Sequence, residues 1–353
     1  MESADAYQVI RYPSTDRIIG SAGAKMIRGP DGVLERRAMA QTTGIHHVTA
    51  ISGGPQRNVD FYAGVLGLRL VKKTVNFDDP ETYHLYYGDG GGNPGTIMTF
   101  FPWAHAPGGR IGAGQLVVTS FSIPATSLGY WTERLVENGV RFEKPRDRFG
   151  DTVLTFEDPD RLRIELVASE DKRPGWAGGT VPAEHSVRGF HHVALAVESI
   201  ESTVSLMTGV LGFGQIDEAE GRVRLSAGEG GPGNTVDVIG ATGFPRGSMG
   251  VGTVHHVAFR VPDEETQLTL REEVSGLGYN VTPVLDRNYF RSIYFREPGG
   301  VLFEIATDPP GFTVDEEKAE LGTHLKLPPW LETRRERLEE VLPPLQVPAG
   351  ESV

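Results

Sequence analysis

From Gly44 onward two rhythms of hydrophobic and polar positions alternate along the chain. Short runs with apolar side chains at every second position, or throughout, read as strands; stretches with apolar recurrence every third or fourth position read as helices. Three strand-like runs share an opening: GIHHVTAI at 44–51, GFHHVALAV at 189–197 and TVHHVAFRV at 253–261. Twenty positions after the second histidine of each run stands a glycine, namely Gly67, Gly212 and Gly276. The intervening NVDFYAGVLGL places Val59, Tyr62, Val65 and Leu66 at helical spacing, and a glycine is a natural stop for that helix. A fourth copy lacks the histidines: QLVVTSFSIP (115–124) precedes the helical LGYWTERLVENG (128–139). It aligns by its ending. FEDPDRLRIEL (156–166) and FREPGGVLFEI (295–305) both read strand, proline turn, strand, with Glu165 and Glu304 six positions beyond the proline.

The short runs YHLYYGD, GTIMTFFPW and NTVDVIGA fill the intervals as further strands, so each copy reads as a βαβββ module. The predicted fold class is α+β, with modules at 44–104, 113–170, 188–242 and 252–308. One module alone has an open sheet edge and a one-sided apolar face, so the modules are expected to pair into two domains of curved mixed sheets enclosing clefts. Residues 1–43 show neither period and are expected to form a loosely ordered N-terminal arm. Residues 309–353 read as a C-terminal tail with one short amphipathic helix, LETRRERLEEVL at 331–342.

Composition narrows the chemistry. The chain has 47 acidic and 34 basic residues, a formal charge of −13 that disfavours a nucleic-acid backbone or an anionic membrane surface as partner. It contains no cysteine, which removes disulfides, thiolate metal sites and cysteine nucleophiles and leaves imidazole and oxygen ligands. No apolar run has transmembrane length and the first residues lack the apolar core of a secretory signal, so a cytoplasmic location is expected.

In a regular strand, neighbouring side chains point to opposite faces, so one member of each His-His pair should look into a cleft and the other sit behind it. A lone histidine in a strand is most often a hydrogen-bonded core residue; three equivalent pairs together with a matched glutamate point elsewhere. Two histidines and one carboxylate on neighbouring strands form the triad that holds non-heme iron on one face and leaves the other positions open. His84 and the glycine-rich stretch Gly88 to Gly95 read as structure and a loop, since no phosphate-cradling turn opens a helix there.

Over roughly Gly44 to Pro344 the sequence resembles the vicinal oxygen chelate superfamily, and within it the ring-cleaving dioxygenases that act on hydroquinones, including chlorinated ones. The resemblance is carried by GIHHVT, NVDFYAGVLGLRLVKKTVNFD, YHLYYGD, GNPGTIMTFFP, VHHVAF, RNYFRSIYFREPGGVLFE and LGTHLKLPPW. It implies iron(II), with manganese(II) as the alternative, held by His47, His256 and Glu304. It also implies functional roles for His46, His255, Thr49, Arg287 and Tyr294, with a small aromatic substrate and dioxygen as reactants. The third module departs from the pattern by keeping both histidines, His191 and His192. Extradiol catechol dioxygenases of the same superfamily take their histidines from the third and fourth modules, which makes His192 the alternative to His47. If the first and last modules share one cleft, the middle pair offers His192, Glu165 and Asp237, a set with a single histidine that reads as decayed or structural. The other readings are a glyoxalase-like isomerase with four protein ligands, for which GTIMTFFPW supplies no carboxylate, and a metal-free module that sequesters aromatic compounds. An unpaired sheet edge and the apolar tail residues Leu325, Leu327 and Trp330 point to a homo-oligomer.

Overall fold

The structure, a computed structural model, describes residues 24–28, 34–38 and 40–348. Within the expected arm, strands β1 (Ala24–Arg28) and β2 (Leu34–Ala38) pair antiparallel. The rest of 1–39 lies outside the described residues. Residues 40–43 belong to the main body, where the backbone amides of Thr42 and Thr43 donate to the carbonyls of Leu211 and Arg260.

The main body begins with β3 (Ile45–Ser52), and each of its four repeats runs strand, helix, three strands. The first continues with α1 (Pro55–Val59), a π-helical turn Asp60–Val65, β4 (Arg69–Val75), β5 (Tyr83–Gly88) and β6 (Ile97–Pro102). The second has β7 (Gln115–Pro124), α2 (Leu128–Glu137), β8 (Arg146–Arg148), β9 (Asp151–Glu157) and β10 (Arg163–Ser169). The third has β11 (Gly189–Val197), α3 (Ile200–Gly209), β12 (Phe213–Ala219), β13 (Arg222–Ala227) and β14 (Thr235–Gly240). The fourth has β15 (Thr253–Val261), α4 (Glu264–Gly276), β16 (Leu285–Asp286), β17 (Phe290–Arg296) and β18 (Leu302–Pro310). Gly67 and Gly212 leave their helices at positive φ, +67° and +82°, where a Cβ would be strained. In the fourth repeat Gly276 is still helical and Gly278, at φ +90°, takes that role.

Two eight-stranded sheets result, and each joins non-consecutive partners. One runs β16-β17-β18-β15-β3-β6-β5-β4, which places the fourth module beside the first. The other runs β12-β13-β14-β11-β7-β10-β9-β8, the third beside the second. In each sheet the modules meet through an antiparallel central pair, β15 with β3 and β11 with β7, while the first and last strands of a module run parallel. The inward side chains of both sheets and the packed helices form one large core that includes Val48, Phe100, Phe121, Trp131, Val193, Val257 and Phe303.

The tail meets the β4 edge of the first sheet at Lys73. Leu325 bridges Lys73 of β4, and the Lys326 amide donates to the Lys73 carbonyl. Leu327, Leu338 and Leu342 are buried, and the predicted helix forms as a 3-10 turn Pro329–Arg334 followed by α5 (Arg335–Val341). Trp330 remains exposed but stands edge-on to Phe77.

Candidate metal centre

The site begins with a local irregularity. Val254 pairs with Ala50 and His256 with Thr49, so His255 is one residue too many on β15. On β3 the same happens at His46, between the pairs Phe259 with Ile45 and Ala258 with His47. His191 is the corresponding extra residue of β11. An inserted residue of this kind is a β-bulge; it re-phases the strand and lets two consecutive side chains share a side. Against the expectation that one histidine of each pair sits behind the other, His255 and His256 both line the cavity, whereas of His46 and His47 only His47 does; the Nδ1 atoms of His46 and His47 lie 2.9 Å apart, and those of His255 and His256 2.8 Å apart. A signal for this existed in the sequence. Core residues flank each pair at odd spacing, Ile45 and Val48, Phe190 and Val193, Val254 and Val257, which regular alternation does not allow.

His47 and His256 face each other across the central strand pair, with their Nε2 atoms 3.1 Å apart. Glu304 on β18 completes the group, its Oε2 lying 2.9 Å from His256 Nε2 and 3.3 Å from His47 Nε2. All three side chains are buried. Glu304 Oε1 accepts a hydrogen bond from the Ser292 hydroxyl, whereas Oε2 faces the two imidazoles. Burial by itself would raise the Glu304 carboxyl; the His47 and His256 imidazoles outweigh it and hold the group well below the usual carboxylate range. Burial pushes His256 down, opposed by Glu304, and pushes His255 down to about 3, assisted by His256. Neutral imidazoles and an ionised carboxylate are the forms that ligate a cation. Bonds of about 2.1 Å place neighbouring ligands of an octahedral ion about 3.0 Å apart, so the three observed separations fit one face of such an ion.

In front of the group lies a cavity of about 500 Å³ whose wall includes His47, His84, Tyr86, His255, Arg287 and Tyr294. His255 is half-buried and opens onto it, whereas His46 is sealed beneath Phe290, ring centroids 5.0 Å apart. Arg287, half-buried rather than a surface arginine, donates from Nε to the Tyr294 hydroxyl at 3.3 Å and reaches Asp78 at 3.5 Å. The Tyr294 ring stands edge-on to His256, centroids 5.7 Å apart. Thr49 is fully buried and its hydroxyl meets that of Thr99 at 3.0 Å. His84, which reads as structural in the sequence, lies in the cavity wall. Ser292 and Thr99 were not singled out at all, because hydroxyl residues inside strands are too common to stand out.

The middle modules hold a contrasting cluster. His192 lies 3.5 Å from Asp237 and 3.7 Å from Glu165, but Arg148 grips Glu165 through both terminal nitrogens at 2.7 and 2.9 Å. Arg222 donates to Asp237 from one terminal nitrogen at 2.8 Å, and Arg224 from Nε and a terminal nitrogen at 2.8 and 3.1 Å. Val118 occupies the register position that His47 has in the other sheet, since Ala194 pairs with Val118 as Ala258 pairs with His47. Guanidinium groups therefore neutralise the carboxylates that a metal ion would need. His192 belongs to a different sheet from His256, and among the described residues the group that could hold an ion contains His47, His256 and Glu304 but not His192.

Comparison with known proteins places the chain in company. The model of the glyoxalase/bleomycin resistance protein/dioxygenase superfamily matches residues 44–166 and 189–305. A protein of Bacillus subtilis (strain 168) named "Putative ring-cleaving dioxygenase MhqO" is 48% identical over 309 residues, covering 87% of this chain and 98% of that one. The chlorohydroquinone/hydroquinone 1,2-dioxygenase of Sphingobium indicum is 37% identical over 303 residues, 84% of this chain and 94% of that one. A crystal structure from Bacillus subtilis superposes with a TM-score of 0.84 at 47% identity, over 87% of this chain and 99% of the other. Maize glyoxalase I, at 16% identity and TM-score 0.57, covers 76% of this chain and 93% of its own and shares the fold.

Proposed function

Because the chain belongs to the glyoxalase/bleomycin resistance protein/dioxygenase superfamily, we propose that it is a ring-cleaving dioxygenase for hydroquinone-type substrates, with iron(II) held by His47, His256 and Glu304. The observation that carries this reading is the convergence of two imidazole nitrogens and one carboxylate oxygen, mutually 2.9 to 3.3 Å apart, on the floor of an aromatic-sized cavity. Such a face leaves room for an ionised phenol and dioxygen side by side, and a ferrous ion there would acidify the phenol and supply redox chemistry.

The protein's own groups account for the rest. For His47 and His256 to present bare Nε2 atoms, both must carry their proton on Nδ1 and donate it to His46 and His255, a pairing that also fixes the ring planes. With Nδ1 accepting from His256, neutral His255 carries its proton on Nε2 and, open to the cavity, is the group placed to donate that proton to a reactant oxygen. Burial holds the Tyr294 hydroxyl protonated, so it donates toward oxygen beside His256, with Arg287 setting its direction. Holding both reactants at one centre removes a bimolecular encounter, worth up to about 7–11 kcal/mol in well-aligned cases.

A specific feature weighs against the isomerase reading. Tyr294 pairs with Glu304 on β17 and β18, and Tyr86 pairs with Thr99 on β5 and β6. Thr99 thus stands at the pseudosymmetric place of Glu304, and its hydroxyl is already engaged by Thr49 and His84. A fourth carboxylate ligand is missing where the fold would supply one. The test is oxygen uptake by protein reconstituted with iron(II) on hydroquinone, chlorohydroquinone and catechol. One dioxygen per ring opened is expected, and bound metal without uptake on any phenol would overturn the assignment.

A further inference from the structure

Resting on that reading, the cavity also indicates which second oxygen the site selects. His84 and Tyr86 are two positions apart on β5 and so face the same side. The Tyr86 oxygen lies 2.9 Å from His84 Nδ1, and His84 Nε2 lies 2.7 Å from the Thr99 hydroxyl, which continues to Thr49. The His84 ring is packed against those of Tyr86 and Phe101, centroids 4.0 and 4.4 Å away. Both nitrogens of His84 are therefore engaged, and the ring cannot turn toward a ligand. Tyr86 is different: among the described residues its hydroxyl has one hydrogen-bond partner, it has the capacity for another, and the residue lines the cavity.

Position supplies the rest. Strands β5 and β17 are each second from an edge of the same sheet, so Tyr86 and Tyr294 occupy matching places on its two flanks. The cluster lies toward the β17 flank, on β3, β15 and β18, and the β5 flank contributes none of it. Two strand spacings, about 10 Å, separate the backbones of β3 and β5. His47 and Tyr86 both line the cavity from those strands.

We propose that the Tyr86 hydroxyl, aimed by His84, holds the ring oxygen para to the one at the His47, His256 and Glu304 cluster, making this pair a selector for para-dihydroxy rings. An ortho oxygen stays beside the cluster and does not reach β5. The bond can run either way. With the proton on Nδ1, His84 donates to Tyr86, which gives its own proton to the ligand; with the proton on Nε2, Tyr86 donates to His84 and accepts from the ligand. A phenolic hydroxyl fits both. Burial keeps Tyr86 protonated and His84 neutral, which preserves this choice.

The test is anaerobic calorimetry on metal-loaded protein with hydroquinone, catechol and phenol, comparing wild type, Tyr86→Phe, His84→Asn and His84→Leu. Losing one such hydrogen bond is expected to weaken hydroquinone about tenfold in Tyr86→Phe, with phenol and catechol within about twofold of wild type. His84→Leu should lose a similar factor and His84→Asn, whose amide can still meet Tyr86, only part of it. Circular dichroism identifies any variant that fails to fold. An unchanged preference for hydroquinone over phenol in Tyr86→Phe overturns the para-oxygen assignment while leaving ring cleavage intact. Wild type that binds none of the three phenols overturns both.

Discussion

The Nε2 atoms of His47 and His256 lie 3.1 Å apart although 209 residues separate the two in the chain. A cation at this point would be met by two imidazole nitrogens and a buried carboxylate oxygen at once. Replacing either histidine, or Glu304, by alanine is expected to reduce bound metal from one per chain to near zero and to abolish oxygen uptake. His192→Ala should retain the metal. Plasma emission spectrometry on reconstituted protein checks both, and the reverse pattern would place the ion in the other sheet.

Ser292 holds the oxygen of Glu304 that does not face the histidines. Without that bond the carboxylate is free to rotate away, so Ser292→Ala should weaken metal binding by about 10- to 100-fold with little change in fold. Competition against a chelator of known affinity measures this.

His46 and His255 occupy equivalent bulges, but only His255 meets the cavity. His255→Ala is expected to lower kcat on hydroquinone by about 100-fold while metal content stays near wild type. His46→Ala should act mainly through metal affinity, since its ring is buried against His47 and Phe290 and does not line the cavity. Equal effects of the two on kcat at saturating metal would contradict the difference in exposure.

Glu165 is held down to about 2; burial opposes this, and Arg148, His192 and Ser120 outweigh it. A carboxyl whose folded pKa lies below its unfolded value, here about 4.5, stabilises fully above that value and loses the contribution as pH falls toward 2. The shift corresponds to on the order of 3 kcal/mol. Urea unfolding of wild type and Glu165→Gln should therefore differ most above pH 5 and converge near pH 2. A difference independent of pH would mean that the arginine contacts contribute through packing instead.

Lys72 is fully buried in β4 and its ammonium meets Asp315 and Glu316 of the tail, each at 2.6 Å. Removing one side of a buried ion pair leaves the other charge uncompensated, so Lys72→Met should cost about 3–5 kcal/mol of stability. The double variant Lys72→Met with Glu316→Gln should recover part of it. Chemical denaturation of both reads the outcome.

The repeated modules, their strand and helix order, the closing hairpins and the three His-His pairs follow from sequence alone, because periodicity and proline or glycine punctuation are local properties. So does the absence of thiol chemistry. The family resemblance added His47, His256 and Glu304 as a set, and without it three histidine pairs remained equivalent. What the sequence left undetermined was which sheet each pair joins: β15 beside β3 and β11 beside β7 is a matter of long-range pairing, and it separates His192 from His256. Tertiary structure also decided what surrounds each carboxylate. Glu165 and Glu304 end identical local patterns, yet Arg148 reaches one from the neighbouring hairpin while two imidazoles reach the other. A hairpin records only its own strands, and the charge that will face it comes from residues folded in from elsewhere.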